Sequence, residues 1–128
     1  MQIAKDRVDV QLEIPGVLLR QRGGFGSVRG YDTISCECFT LAAGVDTTPL
    51  FQGLEGDLCQ CPHWGFVLSG QLTTTDDQGV QETVHANDLF YWPPGHNVKV
   101  GANAEIIMFS PQREHTHVIQ HLIAKVKG

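Results

Sequence analysis

Apolar and polar positions alternate through most of this chain. Val8, Val10 and Leu12 recur at every second residue and predict a strand within Met1–Ile14. Pro15-Gly16 turns the chain, and Val17–Arg20 reads as a second short strand. From Thr33 to Leu41, Ile34, Cys36, Cys38 and Thr40 fall on one face, and Ser35, Glu37, Phe39 and Leu41 on the other. Trp64–Ser69 is almost continuously apolar, as in a strand covered on both sides, and Gly70 breaks it. Gln71–Thr75, Val80–Val84, Leu89–Trp92, Val98–Val100 and Glu105–Phe109 follow as further strands. The turn signals between them are Asp76-Asp77-Gln78-Gly79, His85-Ala86-Asn87-Asp88 and Pro93-Pro94-Gly95. Turns spaced about eight to twelve residues apart predict a sandwich or barrel rather than alternating strands and helices.

Two stretches depart from this rhythm. Val45–Leu58 contains Pro49, Gly53 and Gly56 with little periodicity and reads as a long loop. After Ser110-Pro111 the period lengthens: Val118, Leu122 and Val126 lie four apart, with Ile119 and Ile123 beside them. That pattern predicts an amphipathic helix over about 112–125, with Ser110 as N-cap and Pro111 as first helical residue. Gly23-Gly24-Phe25-Gly26 is followed by no strand-turn-helix pattern, so it reads as a loop or strand corner rather than a dinucleotide-binding turn.

Composition narrows the class. The 128 residues suit one domain over 1–128, with an all-β core at about 33–110. Hydrophobic residues make up 41% and charged residues 18%, enough to build a core and against disorder. The net charge is -5 and the nine Lys and Arg residues form no run, so no nucleic-acid partner is expected. No apolar span reaches the roughly 18 residues of a membrane helix, and Met1–Gln11 holds no signal-like stretch. The chain therefore reads as cytoplasmic, with its thiols reduced. A disulfide between the two Cys-x-Cys pairs would need an oxidising compartment.

The candidate chemistry lies in Cys59-Gln60-Cys61-Pro62-His63-Trp64-Gly65 and in Pro93-Pro94-Gly95-His96. Cys59, Cys61, His63 and His96 offer thiolate sulfur and imidazole nitrogen. These donors suit a divalent transition metal, zinc first and iron second. Four ligands would close a tetrahedral structural site, whereas three would leave a position open for water or substrate. The competing reading is that the thiols simply pack as small hydrophobes. That reading is preferred for Cys36 and Cys38, which have no histidine nearby in sequence. His117 and His121 lie four apart, but Val118 stands where a zinc-protease helix carries glutamate. His115, His117 and His121 therefore read as a solvated helix face, and His85 as an exposed turn residue. Trp64, Phe66, Phe90, Tyr91 and Trp92 either wall a small-molecule pocket or form ordinary core. Glu37, Glu82 and Glu105 receive no role.

The stretch from Phe39 to Phe109 resembles the cupin superfamily of small double-stranded β-helix (jelly-roll) barrels. In its first motif Gly70 matches the glycine, His63 falls at the usual glutamate, and Cys59 and Cys61 stand in the two-histidine element. In its second motif Asn87 replaces a glycine and Pro93-Pro94-Gly95 match the turn. The expected histidine falls on Val98, with His96 two residues earlier on the same face of a strand. The two phrases together are similar to those of short single-domain cupin-like proteins. The resemblance implies a jelly-roll barrel with a C-terminal helix, a bound metal and a homodimer. Two functions stay open: a metalloenzyme acting on a small molecule, or a non-catalytic ligand-binding or dimeric interaction protein whose metal is structural or absent.

Overall fold

The computed structural model describes all 128 residues. Seven antiparallel strands form the body: β1 (Val10–Ile14), β2 (Val17–Arg22), β3 (Ile34–Leu41), β4 (His63–Asp76), β5 (Gln81–His85), β6 (Leu89–Trp92) and β7 (His96–Pro111). They pair in the order β1-β2-β3-β7-β4-β5, and β6 pairs with β4. A short helix, α1 (Thr48–Phe51), precedes β4, and α2 (Gln112–Lys127) ends the chain. This is a jelly-roll barrel with a C-terminal helix: the alternation and turn spacing imply a sandwich or barrel, the four-residue period implies the helix, and the resemblance implies the jelly-roll.

The two long strands make it a barrel. The first half of β4 pairs with β6, from His63↔Trp92 to Phe66↔Leu89, and the second half pairs with β5, from Gln71↔His85 to Thr75↔Gln81. Between the halves the register against β7 shifts three times, from Val67 to Leu72. Gly70 lies at this corner with φ +90°. A side chain there would run into the Asn103 carbonyl oxygen and the Ala104 Cα of β7. A bulged glycine bends one strand, so that its two halves pair with different neighbours, β6 and β5. The sequence pattern divides β4 at Gly70 and β7 between Val100 and Glu105; the structure keeps both continuous and bends them.

Inward positions are filled by Val67, Leu72, Phe90, Val98, Val100, Ile106 and Met108. The Val45–Leu58 segment is not a featureless loop. Thr47 N–H donates to Val98 O, and Val100 N–H donates to Val45 O, so the segment lines the edge of β7. It then forms α1 and a short 3-10 turn over Glu55–Asp57. Leu12, Leu19, Phe51, Cys59, Cys61, Val118, Ile119 and Leu122 pack where α1 and α2 meet the barrel mouth. The helix begins at Gln112, and Pro111 ends the strand in extended backbone with no side-chain cap. Ser110 therefore caps nothing; its hydroxyl is used inside the barrel. No helix is long and apolar enough to cross a membrane.

The corner supplies a direct test of this architecture. Gly70→Ala meets both the positive φ and the backbone of β7, and is expected to cost at least about 2 kcal/mol of stability. Urea unfolding of the variant at wild-type stability would refute the role given to this glycine.

Candidate metal centre

Three separate pieces of chain meet at the mouth of the barrel. Cys59 and His96 face each other across a single antiparallel bridge, with Cys59 N–H to His96 O at 2.9 Å and His96 N–H to Cys59 O at 3.2 Å. Gly95 N–H also reaches Cys59 O, at 2.8 Å. The Pro-Pro-Gly turn thus fixes His96 against Cys59 through backbone bonds alone. His63 opens β4 and points inward beside Trp92, its cross-strand partner. The donor atoms of Cys59, His63 and His96 all lie within 4.8 Å of one another, and all three residues are buried.

Hydrogen bonds behind the two imidazoles set which nitrogen is bare. His96 Nδ1 is 2.7 Å from the Pro93 carbonyl. A carbonyl only accepts, so Nδ1 carries the proton and Nε2 keeps its lone pair. His63 Nδ1 is 2.6 Å from Ser110 Oγ. The Ser110 hydroxyl donates its one proton to Glu37 Oε1 at 2.6 Å, so it accepts from His63, and His63 Nε2 is bare as well. That nitrogen lies 3.6 Å from Cys59 Sγ. Sulfur and nitrogen ligands bound to zinc at their usual lengths, and subtending a tetrahedral angle, are separated by about 3.6 Å. The donor set therefore fits a thiophilic divalent ion, and the Pro93 carbonyl behind His96 is a partner of the kind that orients metal-binding histidines elsewhere.

Cys61 is not part of this arrangement. Its side chain turns away, with Sγ 3.3 Å from Pro62 O and 4.0 Å from Pro111 O, and it packs among the apolar residues under α2. Of the four ligands expected from the sequence, the structure brings three together.

Glu37 and His115 join the site unannounced. Glu37 is fully buried and takes a hydroxyl on each oxygen, Ser35 on Oε2 and Ser110 on Oε1. His115 Nδ1 lies 2.8 Å from Glu37 Oε1, off the line of a good hydrogen bond. The His115 ring stands edge-on to His63 at 4.4 Å between centroids. Donor atoms of Glu37, His63 and His115 also fall within 4.8 Å of one another. His63 Nδ1, the nitrogen on the Ser110 and Glu37 side, is already committed to its hydrogen bond with Ser110, so this second group backs the first. His115 is 2% exposed, which corrects its expected place on a solvated helix face. It sits one helical step before Val118, on the apolar stripe. His117 lies by an open polar hollow and His121 Nε2 bonds Gln52 O at 2.9 Å, both outside the cluster. Cys36 and Cys38 are buried and unpaired.

The cluster opens on an internal cavity of about 60 Å³. Fifteen of its nineteen lining residues are hydrophobic, and Cys59, His63, His96 and His115 supply much of its polarity. Burial in such surroundings pushes the Cys59 thiol up to about 12. Burial, then the neighbouring His115 and His96, holds His63 well below the usual histidine range. His96 is lowered by burial and by His115, against the pull of the Pro93 carbonyl. Without an ion the cluster is thus uncharged. A divalent cation reverses that preference by favouring thiolate and bare imidazole.

No family model and no curated protein matches the chain by sequence. Solved structures do. An oxalate decarboxylase from Lactobacillus farciminis, in a formate complex, superposes with TM-score 0.58 at 15% identity, over 85% of this chain and 32% of that one. The chain thus spans about a third of that enzyme's length. A RmlC-like cupin from Shewanella frigidimarina gives 0.57 at 17% identity over 89% and 93% of the two chains. The polyketide cyclase RemF from Streptomyces resistomycificus gives 0.56 at 19% identity over 87% and 78%. The fold is the cupin barrel. Within that fold, Cys59, His63 and His96 lie close enough together at the barrel mouth to hold a metal ion.

The lowered histidines predict a pH dependence for the metal-free protein. Unfolded, both have the ordinary value of 6.5; folded, they bind protons less readily. Below pH 6.5 the unfolded state therefore takes up more protons. Stability is complete above that pH and falls as the pH drops through it, by at most about 1.4 kcal/mol per histidine per pH unit. Chemical unfolding between pH 7.5 and 5.5 reads this slope, and a flat profile would contradict it.

Proposed function

We propose that this chain binds a divalent transition metal, zinc first and iron second, through Cys59, His63 and His96. We further propose that it is an enzyme acting on a small molecule held in the adjoining cavity. The observation that carries the reading is the pair of bare Nε2 atoms, each fixed by a bond to its own Nδ1, converging with Cys59 Sγ. Three protein ligands, with Cys61 turned away, favour an ion with an open position over a closed structural site. Bound there, a divalent ion would act as a Lewis acid towards a substrate oxygen or lower the pKa of a bound water.

The chain's own residues would do the rest. The apolar walls exclude bulk water and strengthen electrostatic contacts at the mouth. The Pro93 carbonyl and Ser110 hold the two imidazoles in orientation, and Glu37 holds Ser110. We place the protein in the cytoplasm, in keeping with four free thiols. A homodimer belongs to the same reading. It draws support from the outward face of β4, β6 and β7, where Trp64 stacks on Tyr91 at 5.2 Å and Leu89 and Phe109 are exposed. A monomer at micromolar concentration by sedimentation would remove the dimer from it.

Elemental analysis of protein purified without an affinity tag tests the metal directly. About one equivalent is expected for the wild type. Cys59→Ala, His63→Ala and His96→Ala should each lower metal affinity by about tenfold or more. Cys61→Ala, His117→Ala and His121→Ala should retain full occupancy. Loss of metal from Cys61→Ala would restore the four-ligand site, and full occupancy in His63→Ala would end the proposal.

A further inference from the structure

His115 is the one histidine on the cavity wall without a task in the metal reading. It is 2% exposed and lines the cavity together with Cys59, His63 and His96. Three imidazoles thus border one space. The ring centroids of His63 and His96 are 5.4 Å apart and those of His63 and His115 4.4 Å, at interplanar angles of 73° and 65°. Two imidazoles bound tetrahedrally to one zinc ion have centroids about 5 Å apart. His115 stands to His63 nearly as His96 does, and slightly closer.

Its two nitrogens differ in their surroundings. Nδ1 lies 2.8 Å from Glu37 Oε1, is fully buried and makes no in-line hydrogen bond. A lone pair facing a carboxylate oxygen at that distance is repelled, so Nδ1 carries the proton and Nε2 of the neutral ring is bare. The nitrogens of an imidazole point in nearly opposite directions, and Glu37 does not line the cavity. Nε2 is accordingly directed away from Glu37, on the side where the ring meets the cavity.

Charge selects the kind of donor that can complete the set. Glu37 accepts a serine hydroxyl on each oxygen, as a carboxylate does. A divalent ion, the Cys59 thiolate and the Glu37 carboxylate sum to zero, with His63 and His96 neutral. A neutral fourth donor keeps that balance in an apolar interior, whereas an anion would add an uncompensated buried charge.

We propose that His115 Nε2 is the fourth ligand of an ion held by Cys59, His63 and His96, with Glu37 accepting from its Nδ1. The inference rests on the metal reading above and adds a gate to it. Donor atoms of His115 already lie within 4.8 Å of those of His63 and Glu37, and a turn of the ring closes the remaining gap. A carboxylate behind the ring is a usual partner of metal-binding histidines. Because α2 carries this donor, the ion ties the terminal helix to the barrel. The fourth position opens to a substrate oxygen only when His115 gives it up.

X-ray absorption of the zinc-loaded protein counts imidazoles by their outer-shell scattering. The wild type should show one sulfur and three imidazoles. His115→Phe should show one sulfur and two imidazoles and bind zinc about tenfold more weakly. A second measurement needs no variant: in 15N-labelled wild type, zinc should move the Nε2 resonance of His115 together with those of His63 and His96, while His117 and His121 on the same helix stay unmoved. Two imidazoles in the wild type, three in His115→Phe, or an unmoved His115 Nε2 at saturating zinc would overturn the role of His115 and leave the three-ligand site standing. Failure of the wild type to take up zinc would overturn both.

Discussion

Glu37 is the group on which the centre depends. A carboxylate removed from water inside a barrel is costly unless its oxygens are bonded. Here each oxygen receives a serine hydroxyl, and those bonds have a consequence one step away. Ser110 has a single proton. Once Glu37 takes it, Ser110 can only accept from His63, and the free lone pair of His63 is moved to the nitrogen facing Cys59. A buried acid on β3 thereby determines the tautomer of a histidine on β4 through a hydroxyl on β7. The three strands are neighbours in the sheet, so the polar relay follows the ladder and needs no loop to hold it.

The opposite imidazole is fixed by simpler means. His96 follows a turn whose prolines present a carbonyl to Nδ1, and its backbone pairs with Cys59. One half of the centre is therefore backbone-built and the other half is side-chain-built. Loss of Ser110 or Glu37 would release His63 while leaving Cys59 opposite His96. The uncharged state of the cluster follows from the same surroundings. Low-dielectric walls disfavour thiolate and imidazolium alike, so the empty centre sits comfortably in an apolar interior and becomes charged only with an ion to compensate.

Much of the barrel was legible because alternation and turn residues report directly on which face of a strand is buried. The corner was not. A glycine inside an apolar run reads equally as a break and as a bend, and only the pairing of β4 with both β5 and β6 distinguishes them. Cys59, His63 and His96, which the structure brings together, were legible because two short phrases carry them. Cys61 falls outside the group because spacing in sequence says nothing of side-chain direction where the backbone is not in a strand, and β4 begins only at His63. Glu37 and His115 had weaker signals that were nonetheless present. Glu37 shares a face with Phe39 and Leu41, so an inward carboxylate was implied; His115 lies three residues before Val118 on the apolar stripe. Ser110 read well as a helix cap, and tertiary demand for a hydroxyl beside Glu37 overrode that use.

The terminal helix is part of the centre rather than an attachment to it. His115, Val118 and Leu122 recur at three and four residues and all line the cavity. Phe51 of α1 lies against the same space. A barrel closed by strands alone would open this mouth to water. The electrostatics would then change sign in effect, since thiol and imidazole would regain ordinary proton affinities and the positive charge of a bound ion would be screened. By laying an apolar stripe with a single inward histidine across the mouth, α2 keeps the donor cluster dry.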